Sequence, residues 1–171
     1  MTDADAPRLE RLGFGGGCHW CTEAVFQAFG GVARVEQGFV ASDPPDDAFS
    51  EAALVAFDPT VVPADALIEA HLLTHASTSA HSMRGKYRSA VYVGDDAQGD
   101  RVRRTLERLA PGFDAPLVTR VLPSRAFRAS EERFRDYYAT DPERPFCRTY
   151  IDPKLDALRE RFGRSGLVRS S

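Results

Sequence analysis

Four of the five residues at 13–17 are glycine, and Cys18 follows them directly. Glycine adopts backbone conformations that other residues avoid, so this cluster after a short apolar segment predicts a tight turn. The apolar residues that follow recur at helical spacing as far as Phe29, and Gly30 and Gly31 then end the pattern. The cluster therefore predicts a strand, a tight turn and a helix that begins near Cys18.

Strand and helix patterns alternate along the rest of the chain. Strands are predicted over 12–15, 32–41, 51–57, 87–93 and 117–122, and helices over 18–29, 63–72, 96–109, 130–138 and 153–162. Residues 75–86 form a polar stretch without periodicity and predict a loop. The first six elements run β-α-β-β-α-β. This order predicts an α+β fold, a ferredoxin-like two-layer sandwich with C-terminal extensions.

The length of 171 residues suits one domain, which we place at residues 10–163 between flexible termini at 1–9 and 164–171. A formal net charge of -3 gives no electrostatic reason to expect nucleic acid or an anionic membrane as a partner. No apolar run approaches the roughly 20 residues of a membrane span, and the polar N-terminus does not resemble a secretory signal. These features predict a cytoplasmic protein, which we expect to be a monomer.

The three cysteines are too few for a disulfide framework and point to buried, metal-bound or catalytic roles. A cysteine at a helix N-terminus faces unpaired N–H groups and the positive end of the helix dipole, which favour the reactive thiolate. Trp20 beside Cys18 offers a flat apolar wall on which a thioether or methyl group can rest. The motif therefore predicts a nucleophilic thiol.

Other interpretations of the motif remain open at this point. The glycines could belong to a dinucleotide-binding loop, but the third glycine of that fingerprint would fall on Cys18, and the lysine of a P-loop is absent. Cys18 and Cys21 could bind zinc with His75, His81 or Cys147, and His71 and His75 also stand four residues apart. Alternatively, Cys18 could be a buried apolar residue. On the C-x-x-C spacing alone, redox chemistry and these other readings weigh about equally.

The motif and five later segments together resemble the methionine sulfoxide reductase A family. Residues 17–21, Gly-Cys-His-Trp-Cys, are similar to the G-C-F-W-[G/C] motif of that family. The segments at 38–41, 51–59, 87–92, 145–147 and 152–155 resemble G-Y-x-G-G, A-E-V-V-x-V-x-Y-D-P, Y-R-S-x-I-Y, Y-C and A-P-K-L in the same order. The resemblance covers roughly residues 10–163, and the segments at 17–21 and 87–92 are the most specific.

The resemblance implies reduction of the S-epimer of methionine sulfoxide, free or in proteins, for the repair of oxidative damage. Cys18 would attack the sulfoxide sulfur and become a sulfenic acid. Glu51, held in its neutral form by an apolar strand, would protonate the oxygen, and Tyr87 would donate a second hydrogen bond to it. Cys147 would resolve the sulfenic acid as a disulfide, with Cys21 as a competitor. Thioredoxin or another dithiol would regenerate the thiols, with no bound cofactor and no metal.

The chain departs from the family pattern around the substrate. His19 replaces the phenylalanine that follows the nucleophile, and Ser82 falls where an aspartate is expected. The loop at 42–50 is shorter than usual and lacks its tyrosine. We therefore expect the substrate contacts to come from His19, Trp20, Phe39, His81 and Ser82.

Two other classes of function compete with the reductase. Cys-His-Trp-Cys also resembles the active site of thioredoxin-type thiol-disulfide oxidoreductases, although that fold usually has more sheet before the motif than the single strand predicted here. The third candidate is a redox-responsive or zinc-binding interaction module.

Overall fold

The computed structural model describes residues 8–79 and 86–169. Six strands form one sheet, and the helices are mostly short. The strands are β1 Glu10–Gly15, β2 Val32–Ala41, β3 Ser50–Phe57, β4 Ala90–Val93, β5 Arg120–Pro123 and β6 Ala126–Ala129. The α-helices are α1 His19–Gln27, α2 Ala64–Thr74, α3 Asp96–Leu109, α4 Tyr137–Thr140 and α5 Asp152–Phe162. A π-helical turn, Cys147–Ile151, leads directly into α5.

The sheet has the strand order β5-β4-β1-β3-β2-β6. Its central pairs are antiparallel, and only the pair of β4 and β5 is parallel. The observed element order over residues 10–93 is β-α-β-β-α-β, as the sequence predicts, and β5 and β6 extend the sheet at its two edges. The predicted α+β class is confirmed.

The helices pack on one face of the sheet, and side-chain alternation decides which residues meet them. Leu12 and Phe14 of β1 join Val55 and Phe57 of β3 in the main core, together with apolar residues of α1, α2, α3 and α5. A smaller cluster around Tyr92 covers part of the opposite face. Residues of β3 at odd positions therefore point towards the helices.

The structure departs from the sequence prediction mainly after residue 117. The predicted helix over 130–138 is instead a 3-10 turn at Glu132–Phe134, a left-handed residue at Asp136 (φ 52°) and the short helix α4. The carboxylate of Glu23 on α1 accepts the backbone N–H groups of Asp136 and Tyr137, at 3.0 and 3.1 Å, and fixes this bend. Such a tertiary contact has no local sequence signal. Strand β6 is also missing from the prediction, since its four residues show no alternation of buried and exposed positions.

Smaller differences concern element ends. The strand predicted over 87–93 begins at Ala90, the strand predicted over 117–122 is Arg120–Pro123, and the first helix ends at Gln27. Within residues 8–79 and 86–169, no helix is both long and apolar enough to cross a membrane.

Candidate active site

Cys18 is the N-cap residue of α1, as the glycine cluster predicts. Gly16 has a φ of +149°, a conformation that favours glycine, and the chain turns there from β1 into the helix. The carbonyl of Cys18 accepts the N–H groups of Cys21 and Thr22, each at 3.1 Å. Its side chain is half-buried. The turn therefore leaves the sulfur accessible at the amino end of the helix.

The surroundings of Cys18 favour its thiolate. The pKa of Cys18 is lowered, above all because the thiol of Cys21 donates a hydrogen bond to it. Burial and the charge of Glu51 act in the opposite direction, while the backbone N–H groups of Trp20 and Cys21 add to the lowering. The pKa of Cys21 is correspondingly raised, because it is the donor of that hydrogen bond. Of the two thiols, Cys18 therefore ionises more readily, and Cys21 keeps its proton.

Glu51 lies beside the start of α1 and is 6% exposed. It pairs with Phe39 across β2 and β3, and its odd position in β3 turns its side chain towards the helices. Its Oε1 lies 3.4 Å from both the backbone nitrogen and Nε2 of His19. His19 in turn lies edge-on to the ring of Phe39, with 5.2 Å between centroids. The structure therefore brings the predicted residues Glu51, His19 and Phe39 together next to Cys18.

Lys86 and Tyr87 complete this side of the site. The ammonium group of Lys86 lies 3.7 Å from Oε2 of Glu51 and 5.1 Å from the centre of the Tyr87 ring. The pKa of Lys86 is raised, chiefly because its side chain hydrogen-bonds to Tyr87. Tyr87 is linked to Glu51 through Lys86. The surroundings of Glu51 are consequently more polar than the apolar strand that the sequence predicts.

Trp20 is the centre of an aromatic cluster. Tyr137 stacks on one face of the indole, with 4.3 Å between centroids and an interplanar angle of 8°. Phe146 meets the indole edge-on at 5.4 Å, and Phe134 lies 5.7 Å away. Arg144 stacks on the ring of Tyr137, 4.1 Å from its centre. Residues from the C-terminal part of the chain therefore cover one face of the wall that the sequence assigns to the substrate.

Cys147 is fully buried at the start of the π-helical turn. Its thiol donates to the carbonyl oxygen of Asp141 at 3.6 Å, and burial raises its pKa. The charge of Cys147 raises the pKa of Cys21, and the charge of Lys154 lowers it. Lys154 also donates a hydrogen bond to the carbonyl oxygen of Thr74. A small cavity lined by Cys18, Cys21 and Lys154, among others, lies between α1 and α2. The three cysteines thus share one region, with Cys21 in contact with Cys18.

His71 and His75 pack against the glycine turn. Nε2 of His71 lies 2.7 Å from the carbonyl oxygen of Gly15, and the two imidazole rings stack with 4.1 Å between centroids. Nε2 of His75 lies 2.8 Å from Oγ of Ser89. In the described part of the chain, no three His, Cys, Asp or Glu side chains are grouped so that they could hold a metal ion.

The comparisons with known proteins agree on one family. The family model described as peptide methionine sulfoxide reductase matches residues 10–165. The chain belongs to this family. It is 32% identical over 170 residues to the peptide methionine sulfoxide reductase of Chromobacterium violaceum, covering 90% of this chain and 97% of that one. It is 33% identical over 161 residues to that of Thermus thermophilus, covering 86% and 92%. The predicted family and its oxidoreductase activity are confirmed.

Solved structures share the fold of this reductase. The reduced form of Mxr1 from Saccharomyces cerevisiae superposes with a TM-score of 0.72 at 20% identity, over 84% of this chain and 91% of that one. Methionine sulfoxide reductase A of Corynebacterium diphtheriae gives a TM-score of 0.69 at 24% identity, over 82% and 79%. At these identities the likeness concerns the fold.

Two residues predicted for the reductase site, His81 and Ser82, lie outside the described residues. Sequence reasoning also missed several residues that the fold brings to the site: Lys86, Tyr137 and Lys154. Lys86 directly precedes the Tyr87 motif, and Lys154 lies in the segment at 152–155. The positions of Lys86 and Lys154 inside or beside the family segments indicate that they lie near the site. Nothing in the sequence around Tyr137 indicates its stacking on Trp20.

Proposed function

We propose that Cys18 carries out the reductase reaction as its nucleophile. Its thiolate attacks the sulfoxide sulfur of methionine sulfoxide, and one proton is delivered to the oxygen. Oxygen passes to Cys18, so the products are the thioether and a Cys18 sulfenic acid. The observation that carries this proposal is the lowered pKa of Cys18 at the amino end of α1, next to a buried carboxyl group.

The proton donor in this scheme is Glu51, which lies close enough to Cys18 for its charge to raise the pKa of the thiol. Tyr87 is the second group proposed to hold the oxygen, and Lys86 links it to Glu51. Trp20, through the ring area that Tyr137 leaves uncovered, and Phe39 supply apolar surface for the methyl group of the substrate. His81 and Ser82 stay expected substrate contacts from the sequence alone.

The sulfenic acid is then resolved by a thiol, with loss of water, to give a disulfide. The hydrogen bond between Cys18 and Cys21 favours Cys21 for the first condensation, although the family resemblance points to Cys147. Cys147, whose charge acts on Cys21, can take over the bond by attacking the sulfur of Cys21 and releasing Cys18. All three cysteines take part in this order of reactions. The disulfide exchange moves the bond from Cys18–Cys21 to Cys21–Cys147 without any further oxidant or reductant.

A dithiol protein of the thioredoxin type is the proposed reductant, and no bound cofactor is needed. A structural relative, Mxr1 of Saccharomyces cerevisiae, has been solved in complex with Trx2, with a TM-score of 0.61 to this chain. Three free cysteines and a need for dithiol electrons suit the reducing cytoplasm. Both free and protein-bound methionine sulfoxide are candidate substrates.

The test is an epimer-resolved turnover assay with dithiothreitol on the wild type, Cys18→Ser, Cys21→Ser and Cys147→Ser. We expect the wild type to consume only the S-epimer and Cys18→Ser to be inactive. Peptide mass spectrometry after one turnover, trapped at low pH, should show a disulfide between Cys18 and Cys21 as the first product in the wild type and again in Cys147→Ser. A wild type that turns over neither epimer would contradict the proposed function, and a Cys18–Cys147 bond as the first product would reverse the order of resolution.

A further inference from the structure

His19 stands where the G-C-F-W motif of the family has phenylalanine. Its contacts show which ring nitrogen carries a hydrogen. The Nδ1 atom lies 3.1 Å from the carbonyl oxygen of Gly38. A carbonyl oxygen only accepts hydrogen bonds, so Nδ1 must carry a hydrogen. In a neutral imidazole the other nitrogen, Nε2, then has a lone pair and no hydrogen. The contact to Gly38 therefore fixes the tautomer of the neutral ring.

The Nε2 atom faces Oε1 of Glu51 at 3.4 Å, with both side chains buried. If neither atom carried a proton, two acceptors would face each other away from water, which is unfavourable. One proton between them removes this conflict, either as an imidazolium beside a carboxylate or as a neutral imidazole beside a carboxyl group. The contact is long for a hydrogen bond in the free protein, and such contacts often shorten when substrate binds.

Other charged groups act on this pair. Lys86 contacts Oε2 of Glu51 at 3.7 Å and is 58% exposed, so its charge is partly screened by water. The Cys18 thiolate is a nearby negative charge, and the charge of Glu51 raises the pKa of Cys18. Arg128 lies 4.9 Å from the ring of Phe39, which contacts His19, and Lys86 lies 5.1 Å from the ring of Tyr87. Lys86 contacts the other oxygen of the carboxylate, so the contact between Oε1 of Glu51 and Nε2 of His19 still needs a proton of its own.

We propose that His19 is a positioning residue that keeps Glu51 supplied with the proton needed by the sulfoxide oxygen. The inference rests on the proposed function. During reduction the proton passes from the pair to the oxygen as the Cys18 thiolate takes that oxygen, giving the thioether and the Cys18 sulfenic acid. The pair then regains one proton from solvent. A phenylalanine at this position would pack against Phe39 but could not hold a proton, so His19 extends activity to higher pH.

The experiment combines nitrogen NMR of the imidazole with single-turnover kinetics on the full-length protein. Uniformly ¹⁵N-labelled wild type, with His19 assigned by its loss in His19→Gln, should show a protonated Nδ1. Its Nε2 should titrate, and in Glu51→Gln this titration should shift. Release of the first equivalent of thioether from an S-sulfoxide is measured for the wild type, His19→Gln and His19→Phe from about pH 6 to pH 9.

We expect both variants to react within about threefold of the wild type near pH 6 and at least tenfold more slowly near pH 8 to 9, in line with the usual range for general acid-base groups. His19→Phe retains an aromatic ring, and His19→Gln retains a hydrogen-bonding group. If the role of His19 were purely structural, one of these two variants would keep the activity of the wild type. In His19→Ala, added imidazole should accelerate the reaction at high pH.

Equal pH profiles in the wild type and His19→Phe would overturn the inference, as would a His19 nitrogen titration that does not respond to Glu51→Gln. These failures are distinct from failure of the proposed function. If the wild type reduced no sulfoxide, the proposed function would fail by itself, while the NMR titration would still decide whether His19 and Glu51 share a proton.

Discussion

The hydrogen bond from Cys21 to Cys18 leads to a prediction in which reactivity changes in opposite directions at low and high pH. The bond is the largest cause of the lowered pKa of Cys18. Cys21→Ala removes the donor, and Cys21→Ser keeps one. Neither variant can form the Cys18–Cys21 disulfide, so a difference between them isolates the hydrogen bond. Both are placed in a Cys147→Ser background so that a single thiol remains.

The magnitude follows from the type of bond. Hydrogen bonds to charged groups contribute about 1.5–3 kcal/mol, and the half-exposed Cys18 argues for the lower end, about 1.5 kcal/mol. This amount changes the ratio of thiolate to thiol about tenfold. A more basic thiolate is also a better nucleophile, which recovers roughly a factor of three. We therefore expect Cys21→Ala to react about threefold more slowly than Cys21→Ser at any pH below the pKa of Cys18 in both variants.

Where the pH lies well above the pKa of Cys18 in both variants, the order of the two rates should invert. The thiol is then fully ionised in both, and only the nucleophilicity of the thiolate differs. In that range, Cys21→Ala should react about threefold faster than Cys21→Ser. The assay is the rate of alkylation by iodoacetamide from about pH 5 to pH 10, followed by mass spectrometry of the intact protein. Superimposable rate profiles for the two variants would refute the assignment of the low pKa to the Cys21 hydrogen bond.

Two further predictions concern the packing around the site. Trp20 is the one tryptophan of the chain, so Tyr137→Ala should shift the protein fluorescence to longer wavelength by exposing one face of the indole, whereas Tyr137→Phe should leave the emission unchanged; an unshifted spectrum for Tyr137→Ala would contradict the stacking. Gly16→Ala should lower the free energy of unfolding by about 2 kcal/mol or more in urea titrations, because its Cβ would lie 2.4 Å from the ring of His75 at a φ of +149°. Gly112→Ala, with nothing within 4 Å of the added Cβ, is the control, and an equal loss in both variants would count against the clash.

Local elements of the fold could be predicted from the sequence, and elements held by distant contacts could not. β2 at Val32–Ala41 and α3 at Asp96–Leu109 match their predicted bounds, because alternation and helical spacing are strong there. The bend at Asp136 depends on Glu23, more than a hundred residues earlier in the chain. No pattern within residues 130–138 indicates that contact.

The sequence by itself determined the strand, the glycine turn and the helix that begins after Cys18, and with them the position of the proposed nucleophile. These features depend on neighbouring residues, whose backbone preferences are visible in the chain. It also determined the family, since six short segments in a fixed order carry the resemblance and the family model matches residues 10–165.

The tertiary structure decided which groups surround Glu51 beside Cys18. Glu51 reaches His19 because β2 and β3 pair with Phe39 opposite Glu51, and because the helix places the His19 ring over the same strands. Lys86 arrives from a separate segment. Such contacts between residues far apart in sequence arise from sheet register and helix packing. The sequence therefore indicated Cys18 and Glu51 as candidates, and only the fold showed that Glu51 contacts His19 and Lys86.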